Sequence, residues 1–228
     1  MHSTKNNLQV LHEDNHIIVV NKRAGDIVQR DKTGDKPLLD VAKEYIKEKY
    51  NKPGNVFLGT VHRLDRPTSG IVIYARTSKA LERLNKMLRE KTIKKTYWAV
   101  VKNQPKKNTD TLINFLKKNQ KNNKSTAFNK EVDGSKKAIL HYQVLKKLDN
   151  YSLLEIDLET GRHHQIRVQL STIGSTIKGD LKYGAKRSNK DGSIHLHARK
   201  IEFTHPVSKE TIKITAPTPQ DPIWDACL

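Results

Sequence analysis

The apolar positions of this chain fall into short runs of two kinds. Near the N-terminus, LQVL at 8–11 and IIVVN at 17–21 are compact runs separated by the polar HEDN. Two such runs joined by a short polar link predict a β-hairpin. After a turn at Gly25 the period lengthens. Leu38, Leu39, Ala42, Tyr45, Ile46 and Lys49 share one face of a helix over about 38–50, which Pro53-Gly54 ends. A second helix is expected over about 79–90, with Leu81, Leu84, Met87 and Leu88 as its stripe and Thr77 and Ser78 as candidate caps. FLGTVHRLDRPTSGIVIYAR lies between the helices. It is strand-like at both ends and polar in the middle.

IKKTYWAVV at 93–101 alternates, with Tyr97, Ala99 and Val101 on one face and Thr96, Trp98 and Val100 on the other, as a strand does. Residues 102–137 carry ten lysines against Asp110, Glu131 and Asp133 and few apolar residues, which predicts loop with short edge strands. AILHYQVL (138–145) and SLLEIDLE (152–159) read as paired strands. HHQIRVQLSTIG reads as a helix opened by Arg162, with Ile166, Leu170 and Ile173 on one face and Gly174 as its stop. KIEFTHP and TIKITAP close the chain as a hairpin. Without internal repeats or a Pro/Gly/Ser-rich linker, the pattern predicts a single α+β domain.

Composition narrows the function. The net charge is +19 over 228 residues. Such a charge predicts a polyphosphate partner, nucleic acid first and an anionic membrane surface second. Lys-rich, Asn-rich composition can also follow from codon bias. Leu, Ile, Val and Phe make up a quarter of the chain, enough for a folded core. The one cysteine, Cys227, excludes a disulfide scaffold and a Cys-based zinc site. No apolar stretch is long enough to span a bilayer, and MHSTKNNLQVLHEDN lacks a signal-peptide core. A soluble, cytoplasmic protein is expected.

Three stretches could carry chemistry. In VHRLDRPTSG, Pro67 and Gly70 force a turn around Asp65, with Arg63 and Arg66 beside it. Two nearby guanidinium groups would hold that carboxylate ionised. It could then serve as nucleophile, base or half of a structural ion pair, and spacing alone favours the ion pair. In LETGRHHQIRVQL, Arg162 and Arg167 are five residues apart and cannot share a helix face, so they should do different jobs. Tyr97 could stack on a base, although such residues are more often core. His62, His163, His164, His195 and His197 invite a metal, but no HxxxH or HExxH spacing supports one.

HRLDRPTSGIVIYAR, KKTYWAVV, TGRHHQIRVQLSTIGSTIKGDLKYG and HLHARKIEFTHP occur in that order. Together they resemble the RluA-type pseudouridine synthases, from about Leu8 to about Pro217. The resemblance implies a mixed, largely antiparallel sheet with flanking helices and a central active-site cleft. It implies an enzyme that isomerises uridine within ribosomal or transfer RNA, acting as a cytoplasmic monomer without cofactor, metal or membrane partner. Asp65 matches the essential aspartate, Tyr97 the active-site tyrosine that stacks on the target base, and Arg162 the arginine paired with the carboxylate. Arg63 matches the residue that enters the RNA helix as the base leaves it, and Leu196 an aliphatic residue lining the uracil pocket. The chain departs from the common pattern at Arg66-Pro67 and at Ser175-Thr176, and no N-terminal RNA-binding domain of S4 type is expected. The rival reading is an RNA-binding protein of the same fold without turnover. A histidine-dependent metal nuclease is a more distant one.

Overall fold

The computed structural model describes residues 2–31 and 33–228. The chain divides into two compact units, Met1–Lys94 with Ala198–Pro219, and Lys95–His197 with Gln220–Leu228. The first unit opens with β1 (Val10–Glu13), β2 (Ile17–Lys22), α1 (Leu38–Lys49), β3 (Gly59–Thr60), β4 (Ser69–Ala75) and α2 (Ser78–Arg89). The second holds β5 (Lys94–Val101), β6 (Thr109–Asn119), β7 (Lys124–Phe128), β8 (Lys136–Lys147), β9 (Ser152–Leu158) and α3 (Gln165–Thr172). The chain continues through β10 (Leu196–Thr204) and β11 (Thr211–Thr215) and ends in α4 (Pro222–Cys227).

In the first unit the strand order is β1-β2-β4-β10, with β11 on β10 and β3 on β4. The β1/β2, β2/β4 and β10/β11 pairs are antiparallel, so both expected hairpins form. Every residue of β2 and β4 is buried. Strands covered on both faces need apolar side chains throughout, which is why IIVV and IVIYA are runs rather than alternations. Helix α1 buries Leu38, Ala42 and Ile46 against Ile18, Val20, Val72 and Tyr74. Val41 is buried too, while Leu39 and Tyr45 are only partly covered. Thr77 caps α2 by accepting the Ala80 N–H at 3.1 Å.

In the second unit the order is β5-β9-β8-β6-β7, and every neighbouring pair is antiparallel. Helix α3 covers one face. Its Val168 packs with Leu116 and Ala138, and Gln169 Nε2 donates to the Leu112 carbonyl at 3.1 Å and to Asn114 Oδ1 at 2.9 Å. On β5 and β9, Val100 and Leu153 pack instead against Trp224 and Cys227 of α4.

Two expectations are corrected here. Residues 102–137 are not mainly loop, because β6 alone runs for 11 residues and pairs with β7 and β8. Helix α3 begins at Gln165, not at Arg162, because His164 adopts a left-handed φ of 55° and turns the chain into the helix. Among the described residues, no helix is long and apolar enough to cross a membrane.

Candidate active site

The turn that carries Asp65 is fixed from three directions within the first unit. Leu64 packs against the cluster around Ile18, Val20 and Tyr74, which leaves the next side chain, half-buried Asp65, at the edge of that core. The Thr68 N–H donates to the Asp65 carbonyl at 3.0 Å and closes the turn through Arg66-Pro67. Gly70 then enters β4 at φ 113°, where a Cβ would stand 2.4 and 2.5 Å from the backbone oxygen and nitrogen of Ala198. Only glycine fits there, which gives TSG its physical reason.

The third tether is Lys22, the last residue of β2. Its side chain is buried, and its ammonium donates to the carbonyls of Thr68 (2.7 Å), Arg23 (3.0 Å) and Arg66 (3.1 Å). The Arg66 carbonyl also accepts the Gly25 N–H at 2.8 Å. Burial pushes the Lys22 pKa down to about 7, against the upward pull of Asp26 and Asp65, with Arg66 adding to the depression. Sequence reasoning missed this residue. The available signal was a lysine ending a strand that opens with the apolar run IIVV.

Arg63 is exposed. Arg66 does not serve Asp65 as the turn suggested; its Nη2 donates to Asp35 Oδ2 at 2.6 Å and Thr33 Oγ1 at 2.9 Å. His62 Nε2 accepts the Ile73 N–H at 3.3 Å.

The other candidates stand in the second unit. Tyr97 is buried on β5, opposite Ile156 in register, on the face it shares with Ala99 and Val101. Leu196 is buried at the start of β10. Its neighbour His195 is buried between Asp221, whose Oδ1 is 2.9 Å from Nε2, and Asn189, whose Nδ2 is 3.0 Å from Nδ1. Burial lowers the His195 pKa despite Asp221. The rings of His195 and Trp224 stack at 5.2 Å, which ties α4 to the residue before Leu196.

The two arginines of GRHHQIR do different jobs, as their spacing required. Arg162 is exposed, and its Nε donates to the Lys137 carbonyl at 3.0 Å. Its backbone N–H donates to Gln165 Oε1 at 3.0 Å and so orders the turn before α3. Arg167 is buried and grips Asp180 with Nε and Nη2 at 2.7 and 2.8 Å. His163 and His164 stack at 3.8 Å between ring centroids. The Ser125 N–H donates to Tyr183 Oη at 2.8 Å, and Tyr183 Oη lies 2.9 Å from His164 Nδ1.

Tyr183→Phe removes the acceptor for the Ser125 N–H and the hydroxyl facing His164 Nδ1 while keeping the ring. Each buried polar group left unpaired costs about 1–3 kcal/mol. The expected result is a lower urea midpoint at unchanged m-value; an unchanged midpoint refutes this linkage.

Among the described residues, no group of three or more His, Cys, Asp or Glu side chains is arranged to hold a metal ion.

Comparison with known proteins places these residues in context. A family model described as RNA pseudouridylate synthase matches residues 16–172, a span that includes Arg63, Asp65, Tyr97 and Arg162. An uncharacterized RNA pseudouridine synthase of Synechocystis is 33% identical over 216 residues, covering 93% of this chain and 66% of that protein. Ribosomal large subunit pseudouridine synthase D of Zymomonas mobilis is 33% identical over 94% of this chain and 70% of its own length. Ribosomal large subunit pseudouridine synthase C of Buchnera aphidicola is 35% identical over 95% of this chain and 69% of its own length. The chain thus spans 66% to 70% of the length of these relatives. Two human structures, RNA pseudouridylate synthase domain containing 4 and 1, superpose with TM-scores of 0.77 and 0.75. They cover 93% and 100% of this chain, and 89% and 90% of their own, each at 23% identity.

Proposed function

Because this chain belongs to the RNA pseudouridine synthase family, isomerases that act on uridine within RNA, we propose that it converts specific uridines of structured ribosomal or transfer RNA to pseudouridine, with Asp65 as the essential carboxylate. The observation that carries the reading is the Asp65 turn. Lys22 fastens the turn's backbone through the carbonyls of Arg66 and Thr68, while the Asp65 side chain stays half-buried.

The reaction breaks the N1–C1′ bond of uridine and forms a C5–C1′ bond to the same base. The C5 proton leaves and N1 gains one, so atoms and electrons balance without a co-reactant. A carboxylate near C1′ can stabilise the oxocarbenium-like centre or form a transient adduct with it. A base must leave its stack to be reached, which calls for a stacking partner and for contacts that replace the lost pairing. In this reading Tyr97 stacks on the uracil, Leu196 lines its pocket, and Arg63, exposed beside the turn, enters the space the base vacates. The resemblance assigns Arg162 to the carboxylate. The net charge of +19 supports an RNA partner. The protein is proposed to act as a cytoplasmic monomer.

The test is tritium release from C5-labelled uridine in ribosomal and transfer RNA transcripts, run with wild type and Tyr97→Phe. Wild type should release tritium, and mapping RNA from cells with and without the gene should identify the position. Tyr97→Phe should bind RNA normally, because the ring remains. If the hydroxyl also moves the C5 proton, release collapses; if stacking is its whole role, release persists. RNA binding by wild type without tritium release from any cellular RNA would leave the non-catalytic RNA-binding protein.

A further inference from the structure

The lysine-rich segment is an ordered hairpin, and its order has a visible source. Strands β6 and β7 pair in register from Phe115↔Phe128 to Asn119↔Lys124. The asparagines build the turn between them. Asn119 Oδ1 accepts the Lys121 N–H at 2.9 Å, Asn122 Oδ1 accepts the Lys124 N–H at 3.1 Å, and Asn123 takes a φ of 48°. Asparagine suits both tasks, because its side chain mimics a backbone turn and tolerates the left-handed region.

The hairpin is also fastened to the GRHHQIR turn. Ser125, buried on β7, gives its N–H to Tyr183 Oη at 2.8 Å. Its hydroxyl lies 2.8 Å from both the carbonyl and Nδ1 of His163. Lys182 Nζ donates to the Asn123 carbonyl at 3.2 Å, and Ala127 packs with Val168 and Tyr183.

On this held scaffold stand Lys117, Lys118 and Lys121, with Lys130 two residues past the end of β7, all exposed. No carboxylate lies within ion-pair distance of any of them among the described residues. Some lysines elsewhere do have such partners, as Lys49 does with Glu13 at 2.8 Å and Lys36 with Glu44 at 2.6 Å. A flexible coil would let like charges spread apart, but a registered hairpin keeps them together at a cost in self-repulsion. A polyanion recovers that cost on binding.

We propose that the β6–β7 hairpin is a preformed arm that grips the phosphodiester backbone of RNA beside the Ser125–His163 junction. The proposal deepens the function given above and rests on it for the identity of the polyanion. Lysine heads contact phosphates as point charges and read no base edges. The arm therefore supplies affinity, and the choice of uridine is made elsewhere.

The test replaces Lys117, Lys118, Lys121 and Lys130 by Gln together in the full chain. Lys124 is left in place, because its Nζ sits 5.2 Å from the Tyr183 ring centroid. Binding of a labelled oligouridylate is measured against salt concentration. Each lost phosphate contact should lower the magnitude of the log K versus log salt slope by about 0.7. The apparent affinity should fall by about tenfold or more at low salt, with tritium release at saturating RNA and the modified position unchanged. If the combined variant does not fold, Lys118→Gln and Lys121→Gln are measured singly, each with about 0.7 of slope at stake. An unchanged slope overturns the arm, as does a shift in the modified position. Weakened binding to anionic lipid vesicles with RNA binding intact would reassign the arm to a membrane surface and also overturns it. If wild type makes no pseudouridine, the functional reading fails, while the salt slope still reports on the arm.

Discussion

Asp65→Asn should abolish pseudouridine formation and leave the fold and RNA affinity close to wild type. Asparagine keeps the shape of the side chain and removes its charge. The backbone contacts around it are made by groups other than its carboxylate. The Thr68 N–H still reaches the carbonyl of residue 65, Lys22 still bridges Thr68, Arg66 and Arg23, and Leu64 still packs into the core. An uncharged amide can neither add to C1′ nor balance positive charge developing there. The expected readout is loss of tritium release to the background rate at saturating RNA, with dissociation constant and thermal midpoint little changed. Asp65→Ala should behave alike. Substantial turnover by either variant removes Asp65 from the chemistry and the proposed mechanism with it. A physical side effect is also expected: with the Asp65 charge gone, one of the two carboxylates that raise the Lys22 pKa is lost, and that pKa should drop further.

Much of the scaffold around this turn is legible in the sequence because one physical signal dominates each element. Strands β2 and β4 are apolar on both faces, α1 and α2 repeat at the helical period, and Thr77 offers the hydroxyl that caps α2. The hairpin β6–β7 is not legible because its inward face mixes signals. Leu112 and Leu116 alternate correctly, but Asn114 stands between them and Ser125 lies opposite Lys118, each buried because a side-chain partner satisfies it. Period-two patterning fails wherever a polar residue is inside. The start of α3 is hidden for another reason. The left-handed residue is a histidine, not the glycine or asparagine that usually marks such a position. Pairings distant in sequence are the least legible. Arg66 looks assigned to its neighbour Asp65 and goes to Asp35, and Arg167 finds Asp180. Lys22 is the extreme case, a charged residue that composition places on the surface and the fold places at the hub of a turn.

That placement makes stability depend on pH in a way one substitution exposes. The Lys22 pKa is depressed to about 7 in the folded chain, from a normal value of 10.5. Between those values the unfolded chain binds more protons than the folded one, so the Lys22 contribution to stability improves as pH rises through that window. Below about pH 7 the full penalty of burying the ammonium applies. The slope can reach about 1.4 kcal/mol per pH unit, the free energy of one unit of pKa shift. Lys22→Met keeps the bulk of the stem and removes the titrating group. It also leaves the Thr68 carbonyl without the ammonium, while the Arg66 carbonyl keeps the Gly25 N–H at 2.8 Å and the Arg23 carbonyl the Asp26 N–H at 3.4 Å. The variant should therefore be less stable at high pH, by about 1–3 kcal/mol for the carbonyl left unpaired and buried. The decisive quantity is the difference between wild type and Lys22→Met in urea unfolding free energy, followed from pH 6 to pH 10 as the measurement range for the window above. Taking the difference cancels titrations common to both chains. It should move steadily in favour of wild type as pH rises. A difference flat with pH would mean that Lys22 carries the same charge folded and unfolded, and that its carbonyl contacts offset the whole cost of burying it.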